Sequence, residues 1–434
     1  MLSILPTPTT DIMKEIESIL YTFVWSHKPE RIKRKVLIGP VSQGGLKMID
    51  IFKQNISLKI AWVQRWLNIT NNQSSWKNLA MEYFQPIGDV LWDCNLCEKD
   101  INCAMKNKYK KYKYFWFDVM SAWCKVHYHV PVNKQQILAQ IIWLNSHIRV
   151  GGSPCFYKNW SRAGVNQISD LMDINNCLIK YDEFCNRYHI AVNHVTFQGL
   201  LDAIPIEWKT VLKSGLQEEP EHKAIYTVDL ISSKKATSFV YNYLVSTNSI
   251  MPRHAFRKWN EELHVAYDDN QWSDMFTRLN KITKSTRMKS FQFRLYHRIL
   301  PTNVHLCKWK IKDNESCTFC KVYKETYLHL FIDCDIVKQV WKDIGIWLRQ
   351  ITGTFIMLDK PQIILGLEEE VKITYMDMVL IVFKQYVYFC RCRNMCPNVH
   401  GFTSRLFCVR DTEKLNATIN KNMARFERKW LELK

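Results

Sequence analysis

Cys317-Thr318-Phe319-Cys320, followed by His329-Leu330-Phe331-Ile332-Asp333-Cys334, supplies four soft ligands in two clustered pairs. Two cysteines three positions apart can bond one ion across a tight turn, and a histidine and a cysteine five positions apart can complete a tetrahedron from a following short helix. The spacing predicts a closed zinc site. No fifth candidate ligand lies inside the motif, so no open coordination position is implied and the Zn2+ is expected to be structural rather than catalytic. The competing reading is a set of ordinary reduced thiols, close by chance in a chain holding fifteen cysteines. The surroundings favour metal. Asn314, Glu315, Ser316, Lys321 and Lys324 make a polar turn around the cysteine pair, while Leu328, Leu330, Phe331 and Ile332 give the histidine apolar backing. Zinc bound there would act as local folding energy.

The segment leading into this motif is its natural companion. From Met275 to Lys312 there is no acidic residue, while Arg278, Lys281, Lys284, Arg287, Lys289, Arg294, Arg298, Lys308, Lys310 and Lys312 supply ten positive charges. Charged helix faces that merely meet water usually mix signs, so this asymmetry predicts contact with RNA or DNA. The whole chain leans the same way, with 60 Lys and Arg against 41 Asp and Glu, a formal +19. Phe291, Leu295 and Ile299 form an apolar stripe ending at Pro301, where Thr302 or Asn303 can cap the next turn. Beyond the motif, Val337, Val340, Trp341, Ile344 and Leu348 recur at helical spacing, which puts Cys334 at a helix start.

Further out, 434 residues suffice for two or three cores, and 47% apolar content can fill them. Only 13 glycines and 13 prolines argue against a β architecture built on frequent turns. The fold expected is mainly α: multi-helical domains, a short β-hairpin near the N-terminus, and a small zinc knuckle, residues 317–334, in the C-terminal domain. Residues 1–70 are expected as a helix-hairpin-helix unit. Its first helix is capped by Thr10 or Asp11 and carries Ile12, Ile16, Ile19, Leu20 and Phe23 on one face. Strands at Val36–Ile38 and Leu46–Ile49 follow, joined through Pro40 and Gly44-Gly45, then a helix from about Asp50 to Asn68. Residues 71–250 make a helical connecting region and 251–434 the C-terminal domain.

Lys106 to Phe117 interleaves Lys106, Lys108, Lys110, Lys111 and Lys113 with Tyr109, Tyr112, Tyr114 and Trp116. Phosphate attraction with base stacking is one reading, and a helix with its aromatic side packed inward is the other. Cys94, Cys97 and Cys103 lack a local fourth ligand, so they make a weak case for a second metal. Tyr375 to Cys392 is strongly apolar, but Lys384 and Gln385 interrupt it, so it is expected as a buried helix rather than a membrane span. The scattered, odd cysteine count and a start without signal-peptide character predict a reducing, intracellular setting, with nucleus and cytoplasm both open and the balance toward the nucleus.

Leu295-Tyr296-His297-Arg298-Ile299-Leu300-Pro301-Thr302-Asn303, the Cys317 to Cys334 motif with His329-Leu330-Phe331 inside it, and Val340-Trp341 together resemble the zinc-binding C-terminal region of non-LTR retrotransposon (long interspersed element) reverse transcriptases. Phe23-Val24-Trp25, the basic cluster after it and Gly44-Gly45-Leu46 are similar to the thumb of that family. Trp143-Leu144-Asn145-Ser146, Ile204-Pro205-Ile206-Glu207-Trp208 and Arg391-Cys392-Arg393 extend the likeness over nearly the whole chain. The resemblance implies a zinc knuckle that helps hold template RNA or target DNA, while a palm and a separate endonuclease do the chemistry. Neither is recognisable here. Asp268-Asp269 follows Ala266-Tyr267, so the aromatic is one position out of register for a polymerase metal site, and the pair is expected as a helix-flanking loop.

The expectation is therefore a non-catalytic protein, a truncated relative of such a polymerase, binding RNA or DNA around a structural zinc knuckle. It takes no small-molecule substrate and no membrane, and works with a possible partner protein that supplies the missing palm. The alternative is a zinc-stabilised helical scaffold whose positive charge serves an acidic protein partner.

Overall fold

The computed structural model describes residues 6–68, 76–78, 80, 92–105, 113–175, 177–214, 224–246, 251–353, 357–367, 374–431 and 433. These residues are mostly helical, as the low glycine and proline content requires. They divide into two compact units, Met1–Lys28 with Ile49–Thr247, and Pro29–Met48 with Asn248–Lys434.

The first unit is built on tryptophan. Asp50 caps the Ile51–Leu67 helix by accepting from Lys53 N at 3.1 Å. That helix carries Trp62 and Trp66 toward Trp76, Trp92 and Trp116. Trp62 meets Trp76 edge-on at 5.3 Å between ring centres, and Trp66 meets Trp92 at 5.8 Å. The Lys113–His127 helix adds Trp123, whose indole N–H donates to Trp92 O at 2.8 Å. Among the described residues the one two-stranded hairpin is here, pairing Arg149–Val150 with Ser153–Pro154. Gly151 and Gly152 adopt φ of 62° and 81° at its turn, the left-handed conformation such tight turns need.

Three expectations are corrected. The hairpin near the N-terminus does not form: Val36–Ile38 lies in the helical turn Arg34–Ile38, and the amides of Leu46 and Met48 both donate to Leu37 O, at 2.9 and 3.1 Å. Two amides converging on one carbonyl tie the segments together without a ladder. The unit expected at 1–70 is split, because residues 29–48 pack with the C-terminal unit: His297 Nε2 lies 2.8 Å from Gly44 O, and Arg31 donates to Ile299 O at 3.1 Å. The first helix does form, Thr10–Val24, but it packs through Met13 and Tyr21. Its expected inner stripe faces water, with Ile19 62% and Phe23 82% exposed.

The second unit surrounds the Thr374–Arg393 helix. Residues Tyr375 to Phe383, with Val387 and Cys390, are buried, so this mainly apolar helix is covered on every side, as a helix at the centre of a bundle must be. No helix among the described residues is long and apolar enough to cross a membrane. Lys384 is completely buried within it and donates to Ile364 O at 2.6 Å. Gln292 and Tyr296 donate to the carbonyls of Ile364 and Leu365 at the C-terminal end of the short Lys360–Leu365 helix.

Candidate metal centre

The knuckle begins as a tight turn. Ser316 and Lys324 form an isolated antiparallel bridge, Cys317 N donates to Tyr323 O at 2.7 Å, and Lys321 N returns to Cys317 O at 3.0 Å. Lys321 takes φ of 60°, the left-handed position that lets the chain reverse just after the second cysteine. This puts Cys317 and Cys320 on one side. The second ligand pair comes from His329–Asp333, a single π-helical turn closed by Cys334 N donating to His329 O at 2.9 Å. Its i to i+5 bond brings residues five apart to the same face. A regular α-turn would set the pair about 140° apart around the axis.

The result is a tetrad whose ligand atoms all lie within 4.8 Å of one another. Cys317 Sγ is 3.9 Å from Cys334 Sγ, and Cys320 Sγ is 3.3 Å from His329 Nε2. Zinc bonds of about 2.3 Å to sulfur and about 2.0 Å to nitrogen give tetrahedral edges of roughly 3.5 to 3.8 Å, so the donor set fits this ion. Cys317 and Cys334 are fully buried and His329 nearly so, which leaves little room for a water ligand. Burial pushes the Cys317 thiol up to about 12, a cost that a bound cation would reverse. Burial also acts upward on Cys320, but the backbone amides of Tyr323 and Val322, together with hydrogen bonds from Cys317 and Cys334, hold that thiol below its ordinary value. Burial lowers His329 despite the carboxylates of Asp333 and Glu325 nearby, favouring the neutral imidazole a metal needs.

Behind the ligands sits a buried polar network centred on Glu325. Its carboxylate accepts from Asn303 N at 2.9 Å, Thr318 N at 2.8 Å, Thr318 Oγ1 at 2.6 Å and Arg391 Nε at 2.8 Å. Arg391 also donates to Asn303 Oδ1 at 2.9 Å, and Asn303 Nδ2 to Ser316 O at 2.7 Å. The cysteine turn is thereby bolted to the central Thr374–Arg393 helix. Sequence reading did not find this ion pair. Its signal was an arginine near the end of an otherwise apolar helix, which must find a carboxylate if it is buried. Trp341 adds an indole hydrogen bond to Phe331 O at 3.1 Å, fixing the π-turn to the helix that follows.

A family model described as zinc-binding in reverse transcriptase matches residues 256–341. That match runs from the Arg253–Leu263 helix into the Asp335–Thr352 helix, inside the second unit, and contains all four ligands. It supports a reverse-transcriptase origin for this region, and with it the assignment of the tetrad to zinc.

The ten cations of the acid-free segment are not one surface. Arg278, Lys281, Lys284 and Arg287 line a cleft. Arg278 is also committed to buried Asp377, with bonds of 2.9 and 2.7 Å. Arg298 pairs with Glu262 and lies over the rings of Trp259, at 4.3 Å, and Tyr327, so it packs the core beside the knuckle. Lys312 donates to Asn303 Oδ1 at 3.0 Å, while Lys308 and Lys310 are exposed near the knuckle. Lys289 is half-buried and Arg294 exposed on the Thr286–Tyr296 helix. Lys108, Lys110 and Lys111 lie outside the described residues, and Lys113 begins the Lys113–His127 helix, whose Trp116 is buried. Asp268 caps the Asp269–Ile282 helix, accepting from Gln271 N at 2.8 Å, and Asp269 pairs with Arg253. Among the described residues only the C-terminal tetrad assembles: Cys94, Cys97 and Cys103 do not, and Cys97 donates to Asp100 instead.

Proposed function

We propose that this chain is a non-catalytic nucleic-acid-binding protein, related to the thumb and C-terminal region of a non-LTR retrotransposon reverse transcriptase, with Zn2+ held by Cys317, Cys320, His329 and Cys334. Zinc, when bound, supplies folding energy to the knuckle and no reaction step. The observation that carries the proposal is the closed, buried tetrad at the end of a 38-residue stretch without a single acid. A closed donor set suits holding a fold in place, and an unbalanced basic stretch suits a phosphate backbone. Asp268 and Asp269 support the non-catalytic reading, since one caps a helix and the other pairs with an arginine. The exposed stripe Ile12, Ile16, Ile19 and Phe23 supports a protein partner beside the first unit, the place where a palm would serve.

The test combines metal counting with binding. Native mass spectrometry of the full chain should show one zinc, and fluorescence anisotropy with labelled single-stranded RNA and DNA should show affinity falling steeply between about 50 and 200 mM salt. No binding, or binding indifferent to salt, would leave the scaffold for an acidic protein as the better reading. Nucleotide incorporation by the isolated chain, lost on replacing Asp268 and Asp269, would overturn the non-catalytic assignment.

A further inference from the structure

The second unit contains a cleft of about 1290 Å³, bounded by the end of the Asp269–Ile282 helix, the start of Thr286–Tyr296, and the last two helices, Val399–Ile419 and Met423–Trp430. Small-molecule pockets run to about 1,000 Å³, so this one suits an extended ligand. Its charge is one-sided. Eight Lys and Arg side chains line it against two carboxylates, Asp377 and Glu413. Both carboxylates are already used: Asp377 by Arg278 at 2.7 Å, and Glu413 by Lys429 at 2.8 Å and the Trp430 indole at 2.9 Å. Lys284, Arg287, Arg405, Arg425 and Arg428 have no carboxylate within ion-pair distance among the described residues.

Two of these cations line the cleft from different helices. Arg287 stands in the first turn of Thr286–Tyr296 and Arg405 on Val399–Ile419. Burial, and then the Arg287 charge, work against the charged form of Arg405, so two like charges share one concavity without a counter-ion from the protein. An anion between them relieves that repulsion, and guanidinium pairs hold phosphate in bidentate fashion. The positive end of the 11-residue Thr286–Tyr296 helix opens into the same space. Asn416, Asn420 and Asn422 add carboxamides, and half-buried Phe426 adds an aromatic wall. Cationic walls with amide and aromatic groups inside a groove are the combination that grips an unpaired strand, whose bases are accessible.

We propose that this cleft holds the phosphate backbone of a single strand of RNA or DNA, with Arg287 and Arg405 clamping one phosphate and Lys284 and Arg428 flanking it. This rests on the nucleic-acid reading above and extends it to the last helices, since Arg405, Arg425 and Arg428 lie beyond the 256–341 match.

The test uses the full chain and labelled single-stranded RNA, single-stranded DNA and duplex DNA in anisotropy titrations across salt. Two variants remove cleft charge, Arg287→Gln/Arg405→Gln and the exposed pair Lys284→Gln/Arg428→Gln; a third, Lys308→Gln/Lys310→Gln, removes charge near the knuckle instead. Unchanged thermal melts establish that each variant folds. Each cleft variant should weaken single-strand binding on the order of tenfold or more at moderate salt; the log–log salt slope should fall by about 0.7 when the one phosphate clamped by Arg287 and Arg405 is lost, and by about 1.4 when the two contacts of Lys284 and Arg428 are lost. The knuckle variant should do markedly less. Tighter binding of duplex than of single strands overturns the proposal, as do folded cleft variants that bind like the parent chain; in either case the nucleic-acid reading survives. Absence of binding by the parent chain sinks both.

Discussion

Replacing Glu325 with alanine should damage the knuckle without touching a ligand. Its carboxylate is completely buried and accepts from two backbone amides, a hydroxyl and the Arg391 guanidinium. Although burial opposes its charge, Arg391 is held charged chiefly by Glu325, and only 7% of its side chain is exposed. With Glu325 gone, Asn303 Oδ1, at 2.9 Å, is its one remaining hydrogen-bond acceptor among the described residues. Breaking a buried pair from one side costs about 3 to 5 kcal/mol, most of it the stranded charge, and that is a large share of a typical unit's stability of about 5 to 15 kcal/mol. Thr318, between the ligands Cys317 and Cys320, loses both its bonds to the carboxylate, so zinc affinity should fall by about 10- to 100-fold, as is usual when a group supporting a ligand is removed. The assays are urea unfolding of the full chain, hydrogen exchange at the Thr318 and Asn303 amides, and competition with a fluorescent zinc chelator. Glu325→Ala/Arg391→Met should recover much of the stability but not the zinc affinity. A Glu325→Ala protein with parental protection at both amides and parental zinc affinity would refute the reasoning.

Chelating zinc, or the substitution Cys320→Ser, should accelerate hydrogen exchange first across residues 315–335, with the tryptophan-rich first unit unaffected; simultaneous loss of both units would contradict a local folding role. Lys384, drawn down to about 7 by burial, titrates near 10.5 when unfolded, so between those values the unfolded chain binds more protons and stability rises with pH. Lys384→Met should therefore stabilise the second unit by about 2 to 4 kcal/mol at pH 7 and by far less near pH 10.5, read from urea midpoints at the two pH values. Gly45→Ala should cost about 2 kcal/mol or more, because its Cβ would sit 2.0 Å from Gly39 O, a backbone atom that cannot swing aside. Gly345→Ala, in the middle of the Asp335–Thr352 helix with nothing within 4 Å of the new methyl, should raise stability by about 0.5 to 1 kcal/mol. Thermal melts of the two glycine variants should thus move in opposite directions.

The sequence by itself determined the helical class and the four residues of the candidate metal tetrad, because both are local. A histidine five positions before a cysteine, and helical recurrence from Val337 to Leu348, act within one or two turns of chain. It also marked the Gly44-Gly45 reversal and the buried course of the Thr374–Arg393 helix. Tertiary structure alone decided the rest. Charge along a chain does not say what faces each cation, so Arg278 and Arg298 looked equal to Arg287 until folding set Asp377 and Glu262 beside them. The apolar periodicity of Thr10–Val24 announced an amphipathic helix but not which face would be covered, and Met13 and Tyr21 took the inside. Val36–Ile38 shows the same limit, since three β-branched or large residues suit a strand until Gly39-Pro40 and a left-handed Gly44 bend the chain back too soon for a ladder. Glu325 and Arg391, 66 residues apart, meet, and Arg287 and Arg405, 118 apart, line one cleft, only because helices bring them together. Spacing records what one segment can do, and long-range pairing is settled by which segments share a core.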